Sequence, residues 1–254
     1  MAHGPDTNEL LQRLERALAG NKCLNVMSLN ITSLPPIPEG IERIACCYTK
    51  ITTIPPLPST IKRISIGHTD ITEIPHLPEG LKSLNCFKTK VSTLPPLPST
   101  LETLMCSETL VTQLPPLPIN LKNLYCYETS LRSLPRLPNT LIVLNCGDTR
   151  ITSLPDLPDS LKELYCSDLD IETLPDLPPN LIGIMCYRCP KLPFQQVEGG
   201  PNPEYIKLWR DLTKQRTIAR TRAIKEELVS VVYHPRHVER WLATGGWPLV
   251  ENMF

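Results

Sequence analysis

The chain has 254 residues with 26 basic and 26 acidic side chains, a neutrality that argues against a nucleic-acid or membrane-surface binder acting through net charge. No run of about 18 apolar residues is present, so no transmembrane helix is expected, and no basic-then-apolar leader opens the chain, so no secretory signal is expected. Ten cysteines without such a leader point to an intracellular, reducing compartment and free thiols.

The first element expected is a helix over residues 1–20. Asp6-Thr7-Asn8-Glu9 supplies N-cap chemistry, Gly20 is a C-terminal stop, and Leu10, Leu11, Leu14, Ala17 and Leu18 form an apolar stripe at helical spacing.

From Asn21 the chain repeats every 20 residues without a gap, as L-x-x-L-x-C-x-x-T-x-(I/L/V)-T-x-L-P-x-L-P-x-x, through eight full units and a partial ninth, so that residues 21–194 form one array. The first part of each unit, such as Leu121–Tyr127, reads as a short strand. The second carries Pro at two places three residues apart, and 16 of the 28 prolines sit there. Proline fixes φ and keeps the preceding residue extended, so the return leg is polyproline-like. A helix of about 10–12 residues has no room beside a strand and its turns. The expected fold is a solenoid with a parallel sheet on its concave face, an extended convex backing and helical caps at both ends. A solenoid end exposes apolar core, so the N-terminal helix is expected to lie over the first rung.

Cys46, Cys86, Cys106, Cys126, Cys146, Cys166 and Cys186 share one slot, which Val26 and Ile66 fill in the other units. Interchange with Val and Ile marks a small buried apolar site, where free cysteine behaves as a hydrophobe. In-register neighbours near about 4.8 Å also stand beyond disulfide geometry. Thr49, Thr69, Thr89, Thr109, Thr129 and Thr149 occupy a second slot, where a hydroxyl can satisfy a turn backbone group.

Residues 195–254 change character. From Pro203 the sequence is rich in helix formers, with Ile206, Trp209, Leu212 and Ile218 as a buried face that Ile224, Leu228, Val231 and Val232 continue. Pro235 opens a further short helix ended by Gly245 and Gly246. From Pro203 on the segment holds nine Lys or Arg against six Asp or Glu, so it reads as a helical cap or docking segment with a basic face.

The repeat unit resembles the proline-marked class of leucine-rich repeats, the shortest of that superfamily, found in secreted effectors of enteric bacteria and in proteins of large DNA viruses and some protists. The chain departs from it in placing Thr where Asn is usual and Cys where Val or Leu is frequent. Some bacterial members carry a ubiquitin-ligase domain with a C-x-D cysteine. Cys146-Gly147-Asp148 and Cys166-Ser167-Asp168 match that string but sit in repeat register, and the tail is too short for such a domain. The resemblance therefore argues against ligase activity. Glu226–Leu242, EELVSVVYHPRHVERWL, is similar to a C-terminal segment of proteins of large DNA viruses, which favours a viral setting over a bacterial effector.

No phosphate loop, zincin or nucleophile-elbow motif occurs. Cys186-x-x-Cys189 with His234-x-x-His237 offers four ligand types for zinc, but Cys186 is already a core position. The positions the repeat leaves free are more telling. Tyr48, Phe87, Met105, Tyr125, Tyr127, Tyr165, Met185 and Tyr187 are expected to be exposed. Arg43, Lys62, Arg63, His68, Lys82 and Lys88 lie early, whereas Glu102, Glu108, Glu128, Asp148, Glu163 and Asp168 lie late. Tyr and Met favour interface cores, while charge orients a partner. The expectation is a non-enzymatic scaffold without cofactor that binds protein through Tyr48, Arg63, His68, Phe87, Lys88, Met105, Glu108, Tyr125, Tyr127, Glu128, Tyr165 and Tyr187. The favoured setting is structure or assembly of a large DNA virus, with other virion proteins meeting the sheet and the basic tail, and a location in the virion or infected cytoplasm. The alternative is a bacterial effector or host-directed adaptor.

Overall fold

A computed structural model describes residues 6–193 and 203–232. It consists of helix α1 (Thr7–Ala19), nine strands and helix α2 (Pro203–Val232). The strands are β1 (Cys23–Asn25), β2 (Arg43–Ala45), β3 (Arg63–Ser65), β4 (Ser83–Asn85), β5 (Thr103–Met105), β6 (Asn123–Tyr125), β7 (Val143–Asn145), β8 (Glu163–Tyr165) and β9 (Gly183–Met185). They form one parallel sheet in sequence order, and every residue pairs with its equivalent 20 positions on, as Leu104 pairs with Leu124. The return legs contain neither strand nor helix, as the proline spacing requires. The expected solenoid of stacked coils, with a parallel sheet on one side, is the fold observed. The chain falls into two compact units, Met1–Ile206 and Lys207–Phe254.

Each rung pairs over more than its three strand residues. The amide of Glu42 donates to Lys22 O at 2.8 Å, that of Cys46 to Ser65 O at 2.9 Å, and that of Tyr48 to Gly67 O at 3.2 Å. Inside, Leu121, Leu124, Cys126 and Leu131 of a typical rung are fully buried. Each large aliphatic group so buried contributes about 1.5–3 kcal/mol. No rung could keep this core alone, since both its flanks are apolar until a neighbour covers them.

The cysteine ladder is core packing. All seven members are buried, and every cysteine is a free thiol. Burial pushes the thiols of Cys46, Cys86 and Cys146 up to about 12. It also drives Cys106 and Cys126 well above the usual range, with neighbouring thiols adding to the effect. The C-x-D strings are thereby explained: Cys146 and Cys166 face inward and stay protonated, so neither is a nucleophile.

The threonine slot has one repeated duty. Thr49, Thr69, Thr89, Thr109 and Thr129 are buried, and each hydroxyl donates to the carbonyl three residues back in its own rung, at 2.6–2.8 Å. The series breaks at Leu169, which leaves Cys166 O without a hydroxyl from its own rung. Cys189, the same slot one rung later, donates its thiol to that carbonyl at 3.2 Å.

Helix α1 caps the array by imitating a missing rung. In later rungs the second-position amide bonds the equivalent carbonyl of the rung before; Lys22 has no such rung and donates to Ala17 O at 2.9 Å. Asn30 N–H, whose counterpart Lys50 bonds Ile31 O, is taken by the Asp6 carboxylate at 2.7 Å. Asn25 O, whose counterpart Ser65 O receives Cys46 N–H, is taken by Arg13 Nη1 at 3.1 Å. Asp6 therefore does not cap the helix with its side chain, as its local sequence suggested; the carboxylate serves the unpaired rung edge instead. Gly20 ends α1 with φ −140°, and the left-handed residue is Lys22, at φ 55°. Of the expected stripe, Leu10 and Ala17 are buried, Leu14 is half-buried, and Leu11 and Leu18 stand 47% and 46% exposed.

At the other end, Tyr205 and Ile206 in the first turn of α2 are buried in the repeat unit, and the Tyr205 hydroxyl is hydrogen-bonded with the Cys186 thiol. Burial and that bond raise the Tyr205 pKa. In the second unit Trp209 is buried and Leu212 half-buried, but Ile218 is 59% exposed, as are all side chains from Lys214 to Ala223. The expected continuous buried face thus stops after one turn and a half, because helical periodicity records spacing without fixing how far burial extends. The side chains of Ile224, Leu228, Val231 and Val232, and the expected helix after Pro235, lie outside the described residues. No described helix is long and apolar enough to cross a membrane.

Candidate protein-binding face

One residue per rung takes a left-handed conformation just after the strand: Ser28, Tyr48, His68, Lys88, Glu108, Glu128, Asp148, Asp168 and Arg188, with φ between 49° and 61°. None is glycine, although each costs an L-residue about 1–2 kcal/mol. The conformation lets the amide keep its bond to the next rung while the chain leaves the sheet, as Glu108 N–H does to Tyr127 O at 3.0 Å. It also lines these nine side chains up along one border of the sheet.

Five of the twelve expected partner-binding residues, Tyr48, His68, Lys88, Glu108 and Glu128, belong to this column. Phe87, Tyr127 and Tyr187 stand immediately before it. Met105, Tyr125 and Tyr165 end their strands and face outward, half-buried, and Arg63 begins its strand, exposed. All twelve therefore lie on the strand side, but they form two groups.

The first is a border stripe. Tyr48 stacks on His68 with centroids 4.2 Å apart, His68 meets Phe87 edge-on at 5.1 Å, and Phe87 approaches Tyr127 at 6.2 Å. Phe87 and Tyr127 are two rungs apart, and the residue between them in that column, Ser107, is buried with an unsatisfied hydroxyl oxygen. Lys88 pairs with Glu108 at 3.2 Å. Glu128 has its pKa raised by burial, then by Glu108 and Asp148; burial raises that of Tyr127 too, helped by Glu108 and Glu128.

The second group runs along the outward-facing last residues of the strands. Met105 is in register with Tyr125, and Tyr165 with Met185, with Asn145 between the pairs. Tyr165 Oη donates to Glu163 Oε2 at 2.9 Å, and burial with that carboxylate raises the phenol pKa. The same face has ion pairs at its strand-entry border. Glu42 is held by Lys22 and Lys62 at 3.1 and 2.8 Å, and Glu102 by Lys82 and Lys122 at 3.6 and 2.8 Å. Hydrogen bonds from the lysines lower both carboxyl pKa values.

Sequence reasoning missed the left-handed column, because without glycine nothing marks it. It also passed over the small residues Ala45, Ser65 and Gly67 that leave the sheet open beside the two strand arginines. A Cβ on Gly67 would stand 2.9 Å from Phe87 O, so the gap is enforced by backbone approach. A groove of about 620 Å³ on the return legs, between Leu114–Ile119 and Pro135–Thr140, is wide and has Arg136 as its one charged lining residue. It lies apart from these columns. Among the described residues no three His, Cys, Asp or Glu side chains gather as a metal site. Cys186 is engaged with Tyr205 and Cys189 with Cys166 O, and His234 and His237 lie outside the described residues.

The fold is a leucine-rich-repeat solenoid of the short kind whose repeat units contain no helix. No family model matches the chain, and no curated protein matches it. Solved structures do. The chain is similar to YopM from Yersinia enterocolitica WA-314 (29% identity, TM-score 0.61, 65% of this chain and 42% of that one). It is similar to YopM, a leucine-rich effector protein from Yersinia pestis (25% identity, TM-score 0.63, 72% and 60%). A Shigella effector leucine-rich-repeat domain gives 29% identity, a TM-score of 0.62, and coverage of 68% and 81%. The likeness is thus to repeat proteins of the bacterial-effector type, and this chain spans about half the length of the two Yersinia chains.

Proposed function

We propose that the chain is a non-enzymatic scaffold that takes a protein partner on its strand face, with the border stripe and the strand-end residues Tyr125 and Tyr165 as the contact. The aromatic series Tyr48, His68, Phe87 and Tyr127 carries this reading. Rings held side by side at a sheet border, with Tyr48 still 58% exposed, offer rigid contact area at low entropic cost.

For the setting, the likeness to Yersinia and Shigella effector chains supports a host-directed adaptor that presents a target protein, and ten free thiols suit a reducing cytoplasm. The viral assembly reading rests on Glu226–Leu242, most of which lies outside the described residues. Mass spectrometry separates the two: recovery in purified virions supports assembly, and recovery only in host cytoplasm supports the adaptor. The face itself is tested by replacing Phe87, Tyr125, Tyr127 and Tyr165 with Ala. Partner capture is expected to vanish while thermal unfolding stays cooperative; undiminished capture would refute the assignment.

A further inference from the structure

Arg43 and Arg63 are register partners on adjacent strands, both exposed. In-register neighbours stand about 4.8 Å apart, and like charges directly opposite one another destabilise a sheet. Among the described residues neither arginine has a carboxylate partner. The nearest acid in sequence, Glu42, has Oε1 taken by Lys22 and Oε2 by Lys62. The chain elsewhere pairs charge across 20 residues repeatedly, at Lys82–Glu102–Lys122, Lys88–Glu108, Lys90–Asp70 and Arg188–Asp168. The one basic pair within the strands is left uncompensated.

The surroundings keep that pair accessible. The outward strand residues next to it are the small Ala45 and Ser65, and Cys47 and Gly67 come after them, both buried, so the sequence places only small side chains between the arginines and the Tyr48–His68 stack. Ser65 Oγ lies 3.0 Å from Cys47 Sγ and accepts from Asn85 Nδ2 at 3.3 Å, which fixes a polar floor. Two guanidinium forks side by side match carboxylate pairs bidentately.

We propose that Arg43 and Arg63 form an acid-reading subsite of the strand face, which receives an Asp/Glu-bearing segment of the protein partner and so fixes which end of that partner lies over β2 and β3. The inference rests on the strand-face reading and adds polarity to it. The partner's acidic end lies over β2 and β3, and its apolar part over Phe87, Met105 and Tyr125. Its other end comes beside the Glu108–Glu128–Asp148 series, where a basic side chain is favoured.

The test is selection from a random linear peptide library displayed on phage, against the full chain and against the double variant Arg43→Glu/Arg63→Glu. Peptides selected on the natural chain are expected to carry clustered Asp or Glu next to an apolar stretch. Their affinity should fall about tenfold or more on the double variant, as loss of two charge-assisted contacts implies. The control Arg43→Gln/Arg63→Gln should bind weakly too, with a thermal midpoint no lower than that of the natural chain, because a repulsive pair has been removed. A selected set without acidic enrichment overturns the subsite, and so does equal affinity for the double variant. Binding by a phosphoserine peptide but not by its Asp or Glu counterpart overturns it as well. Peptides that ignore the arginines but are lost on Phe87→Ala/Tyr127→Ala sink the subsite alone; peptides indifferent to both sink the strand-face reading with it.

Discussion

The inward and outward columns of this solenoid obey the same 20-residue period and differ in what the period preserves. Inward, it preserves side chains: the slot of Cys86, Cys106 and Cys126 and the slot of Thr89, Thr109 and Thr129 hold one residue type for several rungs, because each residue packs on its own copy. Outward, it preserves only backbone. The left-handed column runs Ser28, Tyr48, His68, Lys88, Glu108 and on to Arg188 at nearly constant φ, while its chemistry passes from aromatic through basic to a run of four acids and back to basic. Stability is thus a property of the columns that repeat, and the recognition proposed above is assigned to those that do not.

If that division holds, the largest effect comes from titrating the interior. An unfolded thiol ionises near about 8.5, whereas Cys46, Cys86 and Cys146 stay neutral to about 12 when folded. Above the unfolded value the unfolded state loses protons that the folded state retains. Stability is therefore full below about pH 8.5 and is lost as pH rises toward 12. Near pH 10.5 each such thiol removes about 2–3 kcal/mol. Urea midpoints measured from pH 8 to 10.5 should collapse, and Cys86→Ile, copying Ile66 of the rung before, should flatten the slope. A slope unchanged by that substitution would show that the ladder does not carry the effect.

Next is packing itself. Leu124→Ala opens a cavity between two covered rungs and should cost about 2–5 kcal/mol, read as a lower denaturant midpoint. Any outward alanine substitution, such as Met105→Ala, should cost far less. Smaller again is a paired test of the hydroxyl columns. Thr109→Val keeps the volume but orphans Cys106 O, costing about 1–2 kcal/mol. Ser107→Ala two residues earlier removes a buried hydroxyl without a partner, so it should leave stability unchanged or raise it. Equal losses at both sites would mean that buried hydroxyls in this wall matter through volume, not through hydrogen bonds.

The sequence made the interior legible for the same reason that it is stable: a slot shared by Cys, Val and Ile can only be a small apolar site. The return legs were legible because proline restricts the chain locally. Four features were not, and each depends on something local sequence does not carry. Asp6 has the chemistry of a helix cap, but its carboxylate goes to Asn30, because the first rung lacks a predecessor and its amide competes. Ile218 continues an apolar spacing beyond the part of α2 that is buried. The aromatics of the strand face, all but Tyr48 half-buried rather than exposed, could be named one by one, yet that Phe87 and Tyr127 reach each other across an intervening rung depends on Ser107 being small. Arg43 and Arg63 read simply as early basic residues; that neither has a carboxylate partner among the described residues emerges only when Glu42 is seen to be occupied.

The smallest effect tests the outward column directly. A residue held left-handed should be relieved by glycine, and the relief, about 1 kcal/mol, should appear wherever the side chain adds nothing to the fold. Glu128, at φ 51° beside Glu108 and Asp148, also sheds like-charge repulsion, so Glu128→Gly is expected to raise the thermal midpoint. His68, at φ 55°, stacks on Tyr48 and meets Phe87, contacts worth about 0.5–1.5 kcal/mol, so His68→Gly should gain nothing or lose slightly. A gain at Glu128 with none at His68 means that the column bears backbone strain for side chains chosen by something outside the molecule. Equal gains would mean that the aromatic stack is incidental, and the border stripe would lose its claim as a recognition surface.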